Sequence, residues 1–294
     1  MSKHKVLVAD PIADAGIEEL KSDPALDVDV RIGISEHELL NDASLYEAII
    51  VRSQTKITED VINAAENLKI VGRAGVGVDN ISIPTATKNG VIVMNTPAGN
   101  TISTAEHAFA LMASLSRNIP QAHSTVVSGG WGRKDYKGVE LNSKTLAILG
   151  MGRIGTEFAK RAVAFGMKVT AYDPYLSPSR AKALQVELFD NVDDIVKGAD
   201  FITLHMPLTE ETKHIINKER LTMCKKDVRI INCARGGLID EIALLEAINE
   251  GEIAGAALDV YEESEPPPKG YPLLESKKII FTPHLGASTN EAQE

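Results

Sequence analysis

Lys144-Thr-Leu-Ala-Ile-Leu-Gly-Met-Gly-Arg-Ile-Gly155 is the stretch that decides the fold. Its apolar run, residues 146–149, reads as a buried strand, and it breaks into glycines spaced G-x-G-x-x-G before a helical pattern over 156–165. In a strand–turn–helix unit of this kind Gly150 permits the tight turn, Gly152 lets backbone approach a pyrophosphate, and Gly155 lets helix and strand pack closely. The free N–H groups and positive dipole end of the helix then face the phosphates. The same spacing also fits an ordinary strand-to-helix turn, so the surroundings decide. Residues 166–172 read as the next strand, and Asp173 stands at its end, 18 positions after Gly155. A carboxylate there accepts hydrogen bonds from ribose hydroxyls and repels a 2′-phosphate, which favours NAD over NADP.

Outward from that stretch, composition sets bounds. A chain of 294 residues that is 44% hydrophobic and 24% charged is long enough for two domains with sizeable cores. A net charge of −10 argues against nucleic-acid or anionic-membrane partners and requires a local basic cluster for any anionic substrate. No apolar run approaches the roughly 20 residues of a membrane span. The start, Met-Ser-Lys-His-Lys, leads directly into a strand without a signal-peptide pattern, and the only cysteines are Cys224 and Cys233, so a reducing cytoplasm is expected. The end, residues 288–294, reads as the first turn of a helix, as in a truncated or unusually short chain.

In the first half, strands are expected over 5–10, 28–32, 48–51, 69–71 and 90–95, with helices over 13–21, 35–40 and 58–66. Ser35 and Glu38 make a capping box for the second of these helices. In the second half, strands over 186–188, 199–205, 228–232, 254–260 and 278–281 alternate with helices over 192–197, 218–222 and 241–251. Such alternation means parallel α/β sheets, whose ligands bind beyond the carboxyl ends of the strands. Between the halves lies a long helix, about 103–117, with Ala105, Phe109, Met112 and Leu115 at helical spacing. Glu106 and His107 on it read as a helix-surface pair. The polar, glycine-containing stretch 118–138, with Trp131 beside Arg133 and Lys134, reads as an arm without an apolar period of its own that wraps a second subunit.

Several strand ends carry residues suited to chemistry. Arg52-Ser53-Gln54-Thr55 follows one strand, and the glycine-rich 72–79 follows another, either as amides facing an anion or as a plain tight turn. Arg235, Glu265 and His284 follow strands of the second half. Singly they could be a solvated turn, part of an acidic surface run and a structural histidine. Together they compose a reaction on a secondary alcohol next to a carboxylate. Arg235 holds the carboxylate bidentately, His284 takes the hydroxyl proton as hydride leaves for a nicotinamide, and Glu265 bonds the other ring nitrogen.

Four motifs, Leu149-Gly-Met-Gly-Arg-Ile-Gly155, Asn232-Cys-Ala-Arg-Gly-Gly237, Ala257-Leu-Asp-Val-Tyr261 and Thr282-Pro-His-Leu-Gly-Ala-Ser-Thr289, resemble the D-2-hydroxyacid dehydrogenase family. Val51-Arg-Ser53, Gly72-Arg-Ala-Gly-Val-Gly-Val-Asp-Asn80 and Asn95-Thr-Pro-Ala-Gly-Asn-Thr101 are similar to its phosphoglycerate-oxidising branch, whose reaction yields 3-phosphohydroxypyruvate at the entry to serine synthesis. The resemblance implies two doubly wound parallel-sheet domains. A Rossmann NAD domain (99–282) is inserted into a flavodoxin-like substrate domain (1–98 and 283–294), and the long helix and arm build a homodimer. It makes Arg235, Glu265 and His284 the catalytic set, without a metal.

Toward NAD the resemblance adds Arg153 and Ile154 beside the three glycines and Asp173. It places Cys233, Ala234 and Asp259 near the nicotinamide and brings in Val76, Gly286 and Ala287. Met206 stands where relatives carry threonine, so a hydroxyl contact to the cofactor is lost. For a small phosphorylated substrate, Arg52, Ser53, Arg73 and a partner's Arg133 are the phosphate ligands, with Gly75, Val76 and Asn100 near the carboxylate. These arginines could also merely pair with surplus acids. Glu263 is a second choice for the His284 partner, because Glu265 is displaced by one residue from the family's spacing. A glyoxylate, hydroxypyruvate or other D-2-hydroxyacid reductase, and an NAD-sensing corepressor-like binding protein, are the alternative functions.

Overall fold

In the computed structural model, which describes residues 3–293, the chain divides into two compact units, Met1–Asn100 with Ser288–Glu294, and Thr101–Ala287. Met1, Ser2 and Glu294, which belong to the expected substrate domain, lie outside the described residues.

The first unit runs β1 (His4–Val8), α1 (Asp14–Ser22), β2 (Leu26–Val30), α2 (Glu36–Asp42), β3 (Ala48–Val51), α3 (Glu59–Ala64), β4 (Ile70–Arg73), α4 (Ile83–Lys88) and β5 (Ile92–Asn95). All five strands pair in parallel in the order β2-β1-β3-β4-β5, the doubly wound arrangement in which the chain reverses direction beside β1. Alternate strand residues, Leu7, Ile49, Val51 and Val71, share a core with Leu39, Val61 and Ile62 from the helical layer and with Ile57 just before α3. The Ser35–Glu38 box closes as read, with the Ser35 hydroxyl accepting from the Glu38 N–H and the Glu38 carboxylate accepting from the Ser35 N–H. Helix α4 has no counterpart in the sequence reading, because six residues with Pro84 in the first turn show no apolar period.

The second unit opens with α5 (Thr101–Arg117) and α6 (Ile119–Val127). It continues through β6 (Thr145–Leu149), α7 (Arg153–Ala164), β7 (Lys168–Tyr172), α8 (Pro178–Ala183), β8 (Glu187–Phe189), α9 (Val192–Gly198), β9 (Phe201–Leu204), α10 (Lys218–Met223), β10 (Arg229–Asn232), α11 (Glu241–Glu250), β11 (Gly255–Leu258) and β12 (Ile279–Phe281). A last short helix, α12 (Asn290–Gln293), belongs to the first unit. The seven strands are parallel, in the order β12-β11-β10-β9-β6-β7-β8. From β6 the chain builds outward to β7 and β8, then returns to β9 on the other side of β6. The switch point for a ligand therefore lies beyond the carboxyl ends of β6 and β9. Both sheet faces are covered: Leu149, Leu204, Ile230 and Leu258 pack on one core, and Ile148, Phe158, Phe201 and Ile231 on the other. Near-continuous burial of strands such as β9 is what a sheet covered on both faces demands.

Two expectations are corrected. The stretch 118–138 is not irregular throughout, since α6 occupies its first part. Asn118 adopts a left-handed φ of 53° that breaks α5 from α6, and Pro120 sits in the first turn, where its missing N–H costs nothing. Its apolar residues Ile119, Val126 and Val127 stay exposed, so no core-facing period marked the helix. Helix α7 starts at Arg153, three residues before the expected 156, so Gly155 lies inside its first turn.

Candidate active site

The turn between β6 and α7 assigns each glycine a separate task. Gly150 has φ +97°, and a Cβ there would stand 2.5 Å from the His205 carbonyl oxygen, so neither the conformation nor the space admits a side chain. A Cβ at Gly155 would collide with the Gly150 carbonyl. Gly152 differs, since no protein atom lies within 4 Å of where its Cβ would be. It caps α7 without any side-chain hydrogen bond, leaving the first N–H groups of a 12-residue helix for a ligand. Arg153 and Ile154 are the first residues of that helix.

Asp173 accepts from the Met151 N–H at 2.7 Å and from the Tyr175 N–H at 2.8 Å, which anchors its carboxylate over the glycine turn and leaves further lone pairs for hydroxyl donors. An open glycine, an uncapped helix start and an anchored carboxylate together fit a dinucleotide. Met206 is buried in the core, and its backbone N–H lies against Gly150. His205 beside it packs on Phe158, and burial pushes its pKa down to about 3, so it is a neutral support for the turn.

At the far strand ends, β10 leads into Cys233-Ala-Arg-Gly-Gly237. The Asn232 side chain accepts from the Ala234 N–H at 3.0 Å and donates to the Arg235 carbonyl at 2.8 Å, and the Arg235 guanidinium donates to the Ala234 carbonyl at 2.6 Å. A Cβ on Gly236 would overlap the Tyr261 carbonyl, so glycine is what lets this turn lie against the loop after β11. That loop carries Glu265. Buried Glu241 anchors it by accepting from the Glu262 N–H at 3.1 Å and the Tyr271 hydroxyl at 2.6 Å.

Both Glu263 and Glu265 are exposed on this loop, and it is Glu265 whose Oε2 lies 2.5 Å from His284 Nδ1. The hydrogen bond to Glu265 raises the His284 pKa above the ordinary histidine value, against the opposing effect of burial. With Nδ1 engaged, Nε2 is the nitrogen that can exchange a proton with a substrate.

Asp259, at the end of β11, is fully buried, and its carboxylate accepts from the Leu285 and Gly286 N–H groups at 2.8 and 2.9 Å. Ala287 follows this turn. Burial and the neighbouring Asp259 raise the Cys233 thiol well above its usual pKa, so it stays protonated. His107 is not half of a helix-surface pair: only 18% of its side chain is exposed, and its Nε2 lies 3.2 Å from Asp259 Oδ1. Glu106 does face outward, pairing with Arg161 at 2.8 Å. The signal for His107 was its spacing, three after Thr104 and four before Leu111, both buried.

In the first unit, Arg52, Ser53 and Thr55 form a loop held by Asp10, a buried residue that sequence reasoning passed over. The Asp10 carboxylate accepts from the Arg52 N–H at 2.6 Å and the Thr55 hydroxyl at 2.6 Å, while Asn80 donates to the Arg52 and Thr55 carbonyls at 2.8 and 2.7 Å. A Cβ on Gly75 would overlap the Arg73 guanidinium, so that side chain lies directly over the glycine. Asn95 donates to the Val76 carbonyl at 2.7 Å, and Asn100 is half-buried just before α5. Arg133 is exposed in the second unit, beyond α6.

A parallel sheet with this glycine turn and a carboxylate–histidine pair beyond its strand ends defines a class of nicotinamide-dependent oxidoreductase. The model for the D-isomer specific 2-hydroxyacid dehydrogenase NAD-binding domain matches residues 109–286, and the chain belongs to that family. The cofactor that goes with this domain is NAD. A D-3-phosphoglycerate dehydrogenase of Methanocaldococcus jannaschii is 51% identical over 290 residues, covering 99% of this chain and 55% of its own length. The protein of that name from Bacillus subtilis is 53% identical over 289 residues, 98% of this chain and 54% of its own. The chain thus spans about half the length of these curated relatives. Among solved structures, a glyoxylate reductase from Paecilomyes thermophila matches with a TM-score of 0.90 at 31% identity, covering 100% of this chain and 92% of that one. No helix among the described residues is long and apolar enough to cross a membrane.

Proposed function

We propose that the protein oxidises D-3-phosphoglycerate to 3-phosphohydroxypyruvate with NAD, the first step of serine synthesis, in the cytoplasm and as a homodimer. The observation that carries the chemistry is the pair Glu265–His284, with Nδ1 fixed at 2.5 Å and the ring pKa raised, at the strand ends that also present Arg235. NAD supplies the hydride acceptor when bound. His284 Nε2 takes the proton from the substrate hydroxyl, Glu265 stabilises the imidazolium that results, and the Arg235 guanidinium pairs with the substrate carboxylate. The NAD-binding domain is the second unit. Gly150, Gly152 and Gly155 with the start of α7 take the pyrophosphate, Asp173 takes the ribose, and Cys233, Ala234 and Asp259 lie toward the nicotinamide.

The first unit is the substrate domain in this reading, and its Arg52 and Arg73 confer preference for a phosphorylated acid. The relatives at about half identity bear that substrate in their name. The overall negative charge makes nucleic acid an unsuitable partner. A second reading, reduction of glyoxylate or hydroxypyruvate, draws on the similarity to the glyoxylate reductase.

NADH formation with D-3-phosphoglycerate, D-glycerate and D-lactate separates the two readings. The phosphorylated acid is turned over best, and Arg73→Ala raises its KM by about tenfold or more while D-glycerate is unaffected. Equal turnover of D-glycerate and the phosphorylated acid refutes the assignment.

A further inference from the structure

The turn that delivers His284 is held from behind. His284 adopts a left-handed φ of 54°, uncommon for a residue with a side chain and persistent only where its surroundings impose it. The surroundings here are Asp259 and one face of α5. Besides the Leu285 and Gly286 N–H groups, the Asp259 carboxylate accepts from the Thr282 hydroxyl at 2.6 Å, and His107 Nε2 lies 3.2 Å from Oδ1 and 3.3 Å from the Thr282 hydroxyl. An ionised carboxylate only accepts, so Nε2 of His107 carries the proton. Three residues earlier on the same face, Thr104 donates to the Gly286 carbonyl at 3.0 Å.

Burial pushes the Asp259 pKa up, but the hydrogen bonds from His107, Thr282 and Leu285 outweigh it and hold the carboxyl below its usual range. The turn therefore sits on a charged acceptor with no solvent to replace a lost donor. His107 and Cys233 cluster directly with that carboxylate, and Tyr261 and His284 also feel its charge; Cys233 stays a thiol.

We propose that His107 is a positioning residue for His284: its Nε2–H secures Asp259, whose oxygens hold the Leu285 and Gly286 amides and with them the left-handed turn that presents the His284 ring to Glu265. His107 does not touch the reacting atoms and acts through Asp259. The inference rests on His284 as the proton acceptor, and its test has a part that needs no substrate.

The variants are His107→Leu, which removes the donor, and His107→Gln, whose side-chain amide reaches the same place as Nε2. In the protein without substrate, NMR of labelled histidines gives the His284 pKa, and the backbone amide shifts of Leu285 and Gly286 report the turn. Leu lowers the His284 pKa toward its ordinary value and moves both amides, whereas Gln retains both. In turnover, loss of a hydrogen bond to a charged group costs about tenfold in kcat with KM for NAD unchanged, and Gln recovers most of it. Should His107→Leu fail to fold, Thr282→Val removes the other side-chain donor to Asp259 and carries the same expectation. An unaltered His284 pKa with unaltered turn amides in the Leu variant overturns the proposal, whatever the substrate proves to be. So does a Gln variant as impaired as Leu. Failure of the function reading looks different, since His284→Ala then leaves turnover intact while the NMR result stands.

Discussion

At the scale of single residues, the proposed proton acceptor has its proton affinity raised chiefly by one contact. Glu265 raises the His284 pKa, so the folded protein binds that proton more tightly than the unfolded chain. The stability this contributes is complete below the ordinary histidine pKa and is lost as pH rises through the raised one. In the proposed reaction the requirement runs the other way. Oxidation of the alcohol needs a neutral ring, so kcat/KM for oxidation climbs with pH through the raised pKa, and reduction falls through the same value. Glu265→Gln removes the charge, moves this limb toward lower pH and lowers kcat, because the imidazolium formed in the reaction loses its counter-charge. A pH profile of the variant with an unmoved limb eliminates Glu265 from the role.

That Arg235, Glu265 and His284 lie beyond strand ends was legible in the sequence because each follows a strand that periodicity reveals. Glu265 was preferred to Glu263 there, but the alternative stayed open because the pairing rests on how the loop after β11 is folded back by Glu241 and Tyr271. Asp10 was illegible for a related reason, since it hydrogen-bonds to groups distant in sequence and nothing local to it distinguishes a buried partner from a solvated charge; His107 carried only its helical spacing, which shows burial and not the partner.

At the scale of elements, the β6–α7 turn separates a structural requirement from a binding requirement within six residues. Gly155→Ala introduces a methyl against the Gly150 carbonyl, an overpacked contact that costs about 1–3 kcal/mol and lowers the thermal midpoint. Gly152→Ala meets no protein atom within 4 Å, and φ −64° suits any residue, so the fold keeps its midpoint. In the proposed site its methyl instead takes space assigned to the pyrophosphate, and NAD affinity is expected to fall by about tenfold or more. Calorimetry of unfolding and of NAD binding on the two variants checks both halves. A Gly152→Ala protein with wild-type affinity places the cofactor elsewhere. The long strand–helix alternation was readable because each strand is apolar on one or both faces. Helix α6 was not, because its apolar residues face outward and leave no stripe turned toward a core.

At the scale of the whole molecule, those outward residues are the surface that the proposed homodimer would cover. Ile119 and Val126 are about half exposed and line a shallow groove with Arg117, Ala122 and His123, while Val127 is 72% and Trp131 77% exposed. Exposed apolar side chains grouped on one helix are the kind of feature that marks an interaction surface. A net charge of −10 repels copies of the chain at long range, so the proposed association would draw on short-range apolar contact. In a two-fold dimer each substitution counts twice. Val127→Glu therefore places two unpaired carboxylates in the proposed interface, a loss of several kcal/mol by the usual cost of burying charge. Light scattering on a sizing column then gives twice the chain mass of 31.7 kDa for the unaltered protein and the single mass for Val127→Glu. If Arg133 reaches the substrate from the partner's arm, the same variant raises KM for the phosphorylated acid and leaves NAD affinity intact. A Val127→Glu protein that still runs at twice the chain mass removes α6 from the interface, and an unaltered protein that runs as a single chain removes the dimer.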